Sequence, residues 1–157
     1  MEYKNFFVSE ADFQKYKLRL DKKVQTFAHA FMSNAKWQKF FMKVCQNQGV
    51  IKQCEIYNFF ENCVNELVFS NITDDLTTYI RPDYISNAIT TAEAPTLYKE
   101  IWYVEFRKIS RKTHIGNLIA PTEETQDLAQ IKRYLASFGE FQFEETTDYL
   151  RVFGYGN

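Results

Sequence analysis

The two histidines, His29 and His114, are the residues of this sequence best suited to acid–base chemistry. One imidazole could remove the 2′-hydroxyl proton of RNA while the other protonates the leaving oxygen, with a lysine in support. The surroundings oppose this chemistry, because His29 lies within an apolar helical stripe and the charges of Arg111 and Lys112 disfavour the protonated form of His114. The sequence therefore favours ordinary structural or surface histidines. A small nucleic-acid-processing enzyme that uses His114 with His29 is the second hypothesis.

Sequence motifs for other chemistries are missing. The chain has no phosphate-binding glycine loop, no G-x-S-x-G elbow and no H-E-x-x-H. Cys45, Cys54 and Cys63 recur every nine residues, so successive thiols on a helix would face opposite sides, and none has the nearby Cys or His that a zinc site needs. Their odd number also disfavours a disulfide framework. We therefore predict small buried apolar cysteines, no catalytic residues, no metal and no cofactor.

Acidic residues are concentrated in two stretches of the chain. Residues 53–80 carry five Asp or Glu and no Lys or Arg, and residues 113–157 carry seven acids against three bases. An acidic surface with exposed tyrosines could imitate phosphate charge and occupy the cleft of a basic nuclease. A solvated face with no partner fits the same pattern. The residues that we expect at such an interface are Glu55, Glu61, Glu66, Asp74, Asp75, Tyr79, Glu144, Glu145, Asp148 and Tyr149, with Tyr57 as a further anchor.

Basic residues are concentrated in the first third of the chain. Residues 1–52 carry ten Lys or Arg against four acids. We predict that most of these basic residues lie on the solvent-exposed faces of two helices. Four more bases, at positions 107, 108, 111 and 112, follow an aromatic strand and could touch phosphates while rings stack on bases. The net charge of −1 and the acids that follow this patch argue against nucleic-acid binding. We expect a solvated strand end there.

The sequence predicts two helices in the first third of the chain. Ser9 is a helix N-cap, and apolar residues then recur at spacings of three and four as far as Phe31, which predicts one long amphipathic helix. Ser33 and Asn34 interrupt it and start a second helix that stops at Gly49. The buried stripe of the second helix is predicted to contain Trp37, Phe40, Phe41, Val44 and Cys45.

In the middle of the chain, the residue pattern predicts a change from helices to strands. Residues 50–70 fit both a helix and a strand, and their apolar spacing favours the helix. Residues 76–80 predict a short strand, and residues 86–96 predict a loop. Residues 97–109 alternate over the longest strand pattern of the chain, with apolar side chains on both faces, which predicts a central strand.

One more helix is predicted among the last strands. Residues 115–120 predict a partner strand, and a helix then opens at residues 121–122 and stops at Gly139. Strands around Phe143 and over residues 149–155 complete the pattern. This order predicts an α+β fold, with an antiparallel sheet and with the N-terminal helices and the later helix packed mainly on one face. The buried stripe of the later helix is predicted to contain Leu128, Ile131, Leu135 and Phe138.

Length and composition predict a single globular domain. The 157 residues are 45% hydrophobic and 17% aromatic, which suffices for one core without metals or disulfides. We expect one domain over residues 1–157, with a helical part at 1–49 and a mixed strand and helix part at 50–157. No apolar run approaches the roughly 18 residues that a membrane span needs. The first residues lack a signal-peptide pattern, so we expect a cytoplasmic protein.

Three short motifs in the second helix, the long strand and the C-terminal strand form a set. Residues 31–37 read Phe-Met-Ser-Asn-Ala-Lys-Trp and match an N-x-K-W helix start. Residues 98–106 match a Y-[KR]-E-I-E-W-I-E-like strand, with Trp-Tyr in place of Glu-Trp, and residues 152–155 match a terminal hydrophobic-Tyr-Gly-Tyr, with Phe in place of the first Tyr. Together these motifs resemble a family of small bacterial proteins of unknown function, and the resemblance runs from about residue 27 to the end. It implies a fold more than an activity, and it implies a strand at residues 50–60.

Small bacterial proteins without catalytic motifs are also similar in kind to immunity proteins that are encoded beside secreted toxins. Our leading expectation is therefore a non-enzymatic immunity or antitoxin-like protein that binds one cognate toxin, such as a nuclease, through an acidic and aromatic-containing surface. A structural adaptor that dimerises through a large self-complementary patch is the third hypothesis.

Overall fold

The computed structural model describes residues 6–60, 64–112 and 122–157, with the backbone alone at positions 111, 112 and 122. Helices and antiparallel strands form the α+β fold that the sequence predicts. The predictions for Glu61, Cys63, His114 and a strand at 115–120 concern residues outside these ranges. The strands, in chain order, are β1 His29–Ala30, β2 Glu55–Asn58, β3 Asn65–Glu66, β4 Tyr84–Ile85, β5 Thr96–Leu97, β6 Ile101–Arg107, β7 Ile109–Lys112, β8 Thr122–Thr125, β9 Phe143–Glu145, β10 Tyr149–Phe153 and β11 Tyr155–Gly156.

The first helix, α1, spans Glu10–Gln25 and is shorter than predicted. Ser9 caps its N-terminus as expected. The predicted continuation to Phe31 is wrong, because β1 lies in that stretch and pairs antiparallel with β11. The apolar spacing continues beyond the helix for a different reason: the Phe27 ring packs against the C-terminal strands, 5.5 Å from the ring of Tyr155.

The second helix, α2, spans Asn34–Gln46. The Ser33 hydroxyl accepts a hydrogen bond from the Lys36 amide at 3.1 Å, which confirms the predicted N-cap. The helix ends three residues before the predicted stop at Gly49. Its predicted stripe is confirmed, since the buried residues of α2 are Trp37, Phe40, Phe41, Val44 and Cys45.

The main sheet has five antiparallel strands in the order β3-β2-β6-β10-β9, and β6 is central as predicted. It is shorter than the predicted strand at 97–109, because Tyr98–Glu100 is a 3-10 turn and β6 spans Ile101–Arg107. The helix predicted over residues 50–70 is wrong, because β2 and β3 lie in this stretch. Ile56 and Asn58 of β2 are buried, whereas Glu55 and Tyr57 are half-buried, which is the two-residue period of a strand. Pairing of β2 with the central strand β6 decides the structure against the helical spacing.

Two further predictions in the middle of the chain need correction. Residues 76–80 do not form a strand, because Leu76–Thr78 is a 3-10 turn. The Asp75 side chain caps this turn by accepting a hydrogen bond from the Thr77 amide at 2.9 Å, so a local polar contact replaces a strand ladder. The stretch predicted as a loop contains another 3-10 turn, Asn87–Ile89.

The third helix, α3, spans Leu128–Ala136, and Asp127 is its N-cap. The predicted opening at residues 121–122 is wrong, because Thr122–Thr125 is β8 and pairs with β7. The acids of that stretch therefore lie in a strand and not in the first turn of a helix. The buried positions Leu128, Ile131 and Leu135 are confirmed, and Phe138 is half-buried just beyond the helix.

One hydrophobic cluster joins the helices to the main sheet. It contains Phe40 of α2, Ile131 of α3 and a cross-strand line of Ile56, Val104 and Val152. We call the sheet face against α2 and α3 the core face and the opposite one the outer face. Within the described ranges, none of the helices has both the length and the apolar character that crossing a bilayer requires.

Candidate functional site

The outer face of the main sheet carries a row of charged side chains that crosses all five strands. The strand register sets one residue of each strand side by side, in the order Glu66, Glu55, Glu105, Arg151 and Glu144. We call these five residues the glutamate row. Four of them are glutamates, although like charges directly opposite each other destabilise a sheet. A feature with this cost needs either local compensation or a role.

Two arginines compensate the buried centre of the glutamate row. The Glu105 side chain is 2% exposed, and each of its oxygens meets a different guanidinium group. Oε1 accepts a hydrogen bond from Arg151 Nε at 2.7 Å, and Oε2 lies 3.1 Å from Arg107 Nη2. Arg107 also reaches Glu55 at 3.1 Å, and Arg151 reaches Glu144 at 3.4 Å. Charges therefore alternate through one connected network.

Aromatic rings order the outer face beside these charges. The Tyr57 and Tyr103 rings stack with centroids 4.4 Å apart, and Phe153 lies 5.4 Å from Tyr103. The Arg151 guanidinium lies between two rings, 4.6 Å from Tyr103 and 4.1 Å from Tyr149. Ring stacking and cation–π contacts hold these side chains in place. The outer face is therefore an ordered surface.

The tyrosine hydroxyls of this surface stay protonated at neutral pH. The Tyr57 hydroxyl donates to Glu55 Oε2 at 2.8 Å and accepts from Arg107 Nη2 at 3.3 Å. Burial is the main cause that raises the pKa of Tyr57 and of Tyr103, and a hydrogen bond to a neighbouring glutamate raises the pKa of Tyr149. Such hydroxyls donate hydrogen bonds, and none is activated as a base or nucleophile.

A buried pair of glutamines fixes one end of the surface. The Gln126 side chain accepts from the amides of Lys52 at 2.9 Å and of Gln53 at 3.2 Å, and it donates to the Arg107 carbonyl at 2.8 Å. The Gln53 side chain accepts from the Arg107 amide at 3.1 Å and donates to Glu66 Oε1 at 3.3 Å. Sequence reasoning missed this pair, because a buried glutamine carries no local signal that separates it from an exposed one.

The structure brings part of the predicted interface together. Glu55, Glu66, Glu144 and Tyr149 all lie on the outer face, and Tyr57 lies with them. Sequence reasoning missed their central partners, which are Tyr103, Glu105, Arg107 and Arg151. The alternation of Tyr, Glu and Arg at 103, 105 and 107 is the signal that could have found them, because every second residue of a strand shares a face.

Other predicted interface residues lie elsewhere. Glu145 lies towards α3, with its carboxylate 3.8 Å from Lys132 Nζ, and Asp148 lies in the turn between β9 and β10. Asp74 and Asp75 immediately precede the 3-10 turn Leu76–Thr78. Tyr79 is buried, at 7% exposure, and its hydroxyl donates to Asp74 at 3.3 Å, so its ring is not displayed at the surface.

A β-bulge beside the glutamate row exposes Trp102. Tyr57 pairs with Tyr103, but Asn58 pairs with Ile101, so Trp102 is an extra residue in β6. Ile101 is buried, whereas Trp102 is 41% exposed. Two grooves flank the indole, one of about 490 Å³ that contains Lys23 and one of about 420 Å³ that contains Glu144. The residues that line both grooves are Phe27, Trp102 and Asn157.

The structure describes one of the two histidines, His29, and two of the three cysteines, Cys45 and Cys54. His29 is exposed in β1, with its ring stacked 6.0 Å from Phe31, and the proposed pairing with His114 stays a prediction. Cys45 and Cys54 are buried as predicted, and burial raises the pKa of Cys45 to about 12 and that of Cys54 well above its usual value. Protonated thiols are poor nucleophiles and ligands. Among the described residues, no cluster of three or more His, Cys, Asp or Glu could hold a metal ion.

The resembling motifs have clear structural positions, although the family resemblance itself stays a prediction. Asn34 and Trp37 lie in the first turn of α2, and Gly154 lies between β10 and β11. Comparisons of the chain with protein-family models, with curated proteins and with solved structures find no match.

Proposed function

We propose that the protein binds and neutralises a basic protein toxin in the bacterial cytoplasm, as immunity proteins do, and that the outer face of its main sheet is the interface. The observation that carries this proposal is the glutamate row. It places four carboxylates in line across one sheet face, and two of its cross-strand pairs, Glu66 with Glu55 and Glu55 with Glu105, set like charges opposite each other, which stability alone disfavours.

The charge of the outer face suits a cationic partner. Four carboxylates against the two guanidinium groups of Arg107 and Arg151 leave an excess of negative charge. Glu144 at one end of the row is 47% exposed, so its charge reaches solvent. Charges at the rim of an interface speed association and select partners more than they add affinity. A nuclease with a basic substrate cleft is a partner of this chemistry.

The order of the outer face suits binding more than chemistry. Tyrosine and arginine are the side chains most often found at interface hot spots, and here Tyr103, Arg151 and Tyr149 are already stacked on one another. A surface whose rotamers are fixed before binding loses little entropy when a partner arrives. The Tyr149 hydroxyl already donates to Glu144, and its oxygen can accept a hydrogen bond from a donor of that partner.

Co-expression with the protein encoded beside this gene tests the proposal. We expect the wild-type protein to restore growth of cells that produce this neighbouring toxin, and we expect the purified pair to form a complex in titration calorimetry. The association rate should fall as sodium chloride is added, because salt screens the charges that steer the encounter. Loss of both the growth protection and the complex would overturn the proposal.

Paired charge removals locate the interface. Glu144→Gln should slow association several-fold, because it removes an exposed carboxylate of the row. Glu10→Gln is the matched control, since it removes the same charge from the first turn of α1. Glu10 lies about 20 Å along the helix axis from Lys23, which lines a groove of the outer face. Equal effects of the two substitutions would contradict an interface on the outer face.

A further inference from the structure

The β-bulge in β6 exposes the Trp102 indole to solvent. Trp102 is the extra residue of a bulge, and bulges commonly re-aim a side chain next to a functional site. The neighbouring strand fits closely at the same point. The Gly154 amide donates to the Trp102 carbonyl at 2.8 Å, and a Cβ at Gly154 would lie 2.6 Å from the Ile101 carbonyl oxygen. Only glycine therefore permits this approach.

The walls beside Trp102 are preformed. Phe27 stacks on Phe59 at 5.4 Å and on Tyr155 at 5.5 Å, and Tyr103 meets the indole edge-to-face at 5.2 Å. Grooves of about 490 and 420 Å³ lie within the range that buries an organic ligand or several side chains. Because the grooves share lining residues, one extended segment can occupy both.

Opposite charges flank the indole. In the first groove, Lys23 Nζ lies 5.8 Å from the ring centroids of Phe27 and Phe59. In the second groove, Glu144 accepts a hydrogen bond from the Tyr149 hydroxyl at 2.7 Å. A bound chain therefore meets a cation on one side of the indole and a carboxylate on the other. This asymmetry favours one orientation of the bound chain along the two grooves, which together we call the cleft.

We propose that this cleft binds an extended peptide segment of the partner, with an apolar side chain packed on Trp102 and an adjacent lysine or arginine paired with Glu144. The inference rests on the proposed function, because it names what the partner places on the same surface. The exposed indole supplies the apolar contact, and the end of the glutamate row supplies the charge that selects a basic residue.

Selection from a phage-displayed library of random linear peptides tests the cleft without the toxin. We expect wild-type protein to enrich peptides with an apolar residue next to Lys or Arg. The enriched peptide should protect the Trp102 fluorescence from iodide, since the other tryptophan, Trp37, is buried at 2% exposure. Trp102→Ala should weaken peptide binding about tenfold or more, as expected for a hot-spot residue, with an unchanged circular dichroism spectrum.

Two charge inversions test the direction of the bound segment. Glu144→Lys should weaken binding of the enriched peptide about tenfold, whereas Lys23→Glu should leave it unchanged or tighter. No enriched motif, a motif without a basic residue, equal effects of the two inversions or unchanged binding by Trp102→Ala would each overturn the inference. If the protein protects cells against the toxin but selects no peptide motif, this inference is overturned and the proposed function is not. If a peptide motif is selected but the protein neither protects cells nor forms a complex with the toxin, only the proposed function is overturned.

Discussion

At the scale of single residues, Glu105 determines how the outer face holds together. Its carboxylate is buried at the centre of the sheet and is compensated by Arg107 on one oxygen and Arg151 on the other. A buried ion pair adds little net stability, but removal of one partner leaves a buried charge without compensation. The two arginines therefore stabilise the buried charge of Glu105, in addition to any role in binding.

Arg151→Met should lower the free energy of unfolding by about 3 kcal/mol, because it takes a guanidinium from the buried Glu105. Lys132→Met is the matched control: its partner Glu145 is 3.8 Å away and both side chains are largely exposed, so the loss should stay below about 1 kcal/mol. Urea denaturation of both variants measures the difference. Equal losses would show that the buried network contributes no more than a surface pair.

The candidate site could be predicted only in part from single residues. The excess of acidic over basic residues in two stretches of the chain pointed to Glu55, Glu66 and Glu144. It missed Glu105, since that residue lies in a strand whose apolar content dominated the interpretation. Arg107 of β6 reaches Glu55 of β2, and Arg151 of β10 reaches Glu105 of β6. These contacts depend on the register of strand pairing, which no local pattern specifies.

At the scale of elements, the C-terminal strands depend on one glycine. Gly154→Ala should destabilise the protein by about 1–3 kcal/mol, because its Cβ would collide with the backbone of β6. Gly49→Ala is the control, since the nearest atom to its Cβ is 3.8 Å away, and it should change stability by less than about 1 kcal/mol. Thermal denaturation of both variants gives the comparison. A neutral Gly154→Ala would contradict the close approach of the strands.

The helices differ in how firmly they are packed. Leu20 is the single buried residue among the 16 of α1, whereas α2 buries five of its 13 residues. We expect the amides of α1 to exchange with deuterium much faster than those of α2, because local opening of α1 exposes little apolar surface. Hydrogen-exchange mass spectrometry at neutral pH measures this. Equal protection of the two helices would refute the expectation.

The same contrast explains which elements could be predicted. In α2 the cap and the apolar stripe belong to one helix packed on one core, so the pattern and the structure agree. In α1 the pattern continued through Phe27, which contacts strands distant in sequence. Residues 50–70 fit both periods, and pairing with the central strand decided between them. Tertiary contacts override local spacing wherever two interpretations are nearly equal.

At the scale of the whole molecule, buried tyrosines make stability sensitive to alkaline pH. Burial raises the pKa of Tyr155 from 10.0 to about 12, and burial also raises the pKa of Tyr57 and Tyr98. A raised folded-state pKa gives stability that is complete below pH 10.0 and is lost as the pH rises through the folded-state value. The free energy of unfolding should therefore fall between about pH 10 and 12.

Urea denaturation across this pH range measures the loss, and Tyr155→Phe should reduce its slope. Tyrosinate absorbance provides the control, because ionisation should begin at lower pH in urea-unfolded protein than in folded protein. Coincident ionisation curves for the two states would contradict the burial of these hydroxyls.

The position of β10 in the main sheet has a consequence for biosynthesis. β10 spans Tyr149–Phe153 and lies between β6 and β9, so the sheet has a gap until these late residues are made. A nascent chain that ends before residue 149 lacks Arg151, and its Glu105 has lost one of two cations. If the outer face binds a toxin as proposed, a chain truncated before residue 149 should neither bind this partner nor protect cells, because it lacks Arg151 and β10.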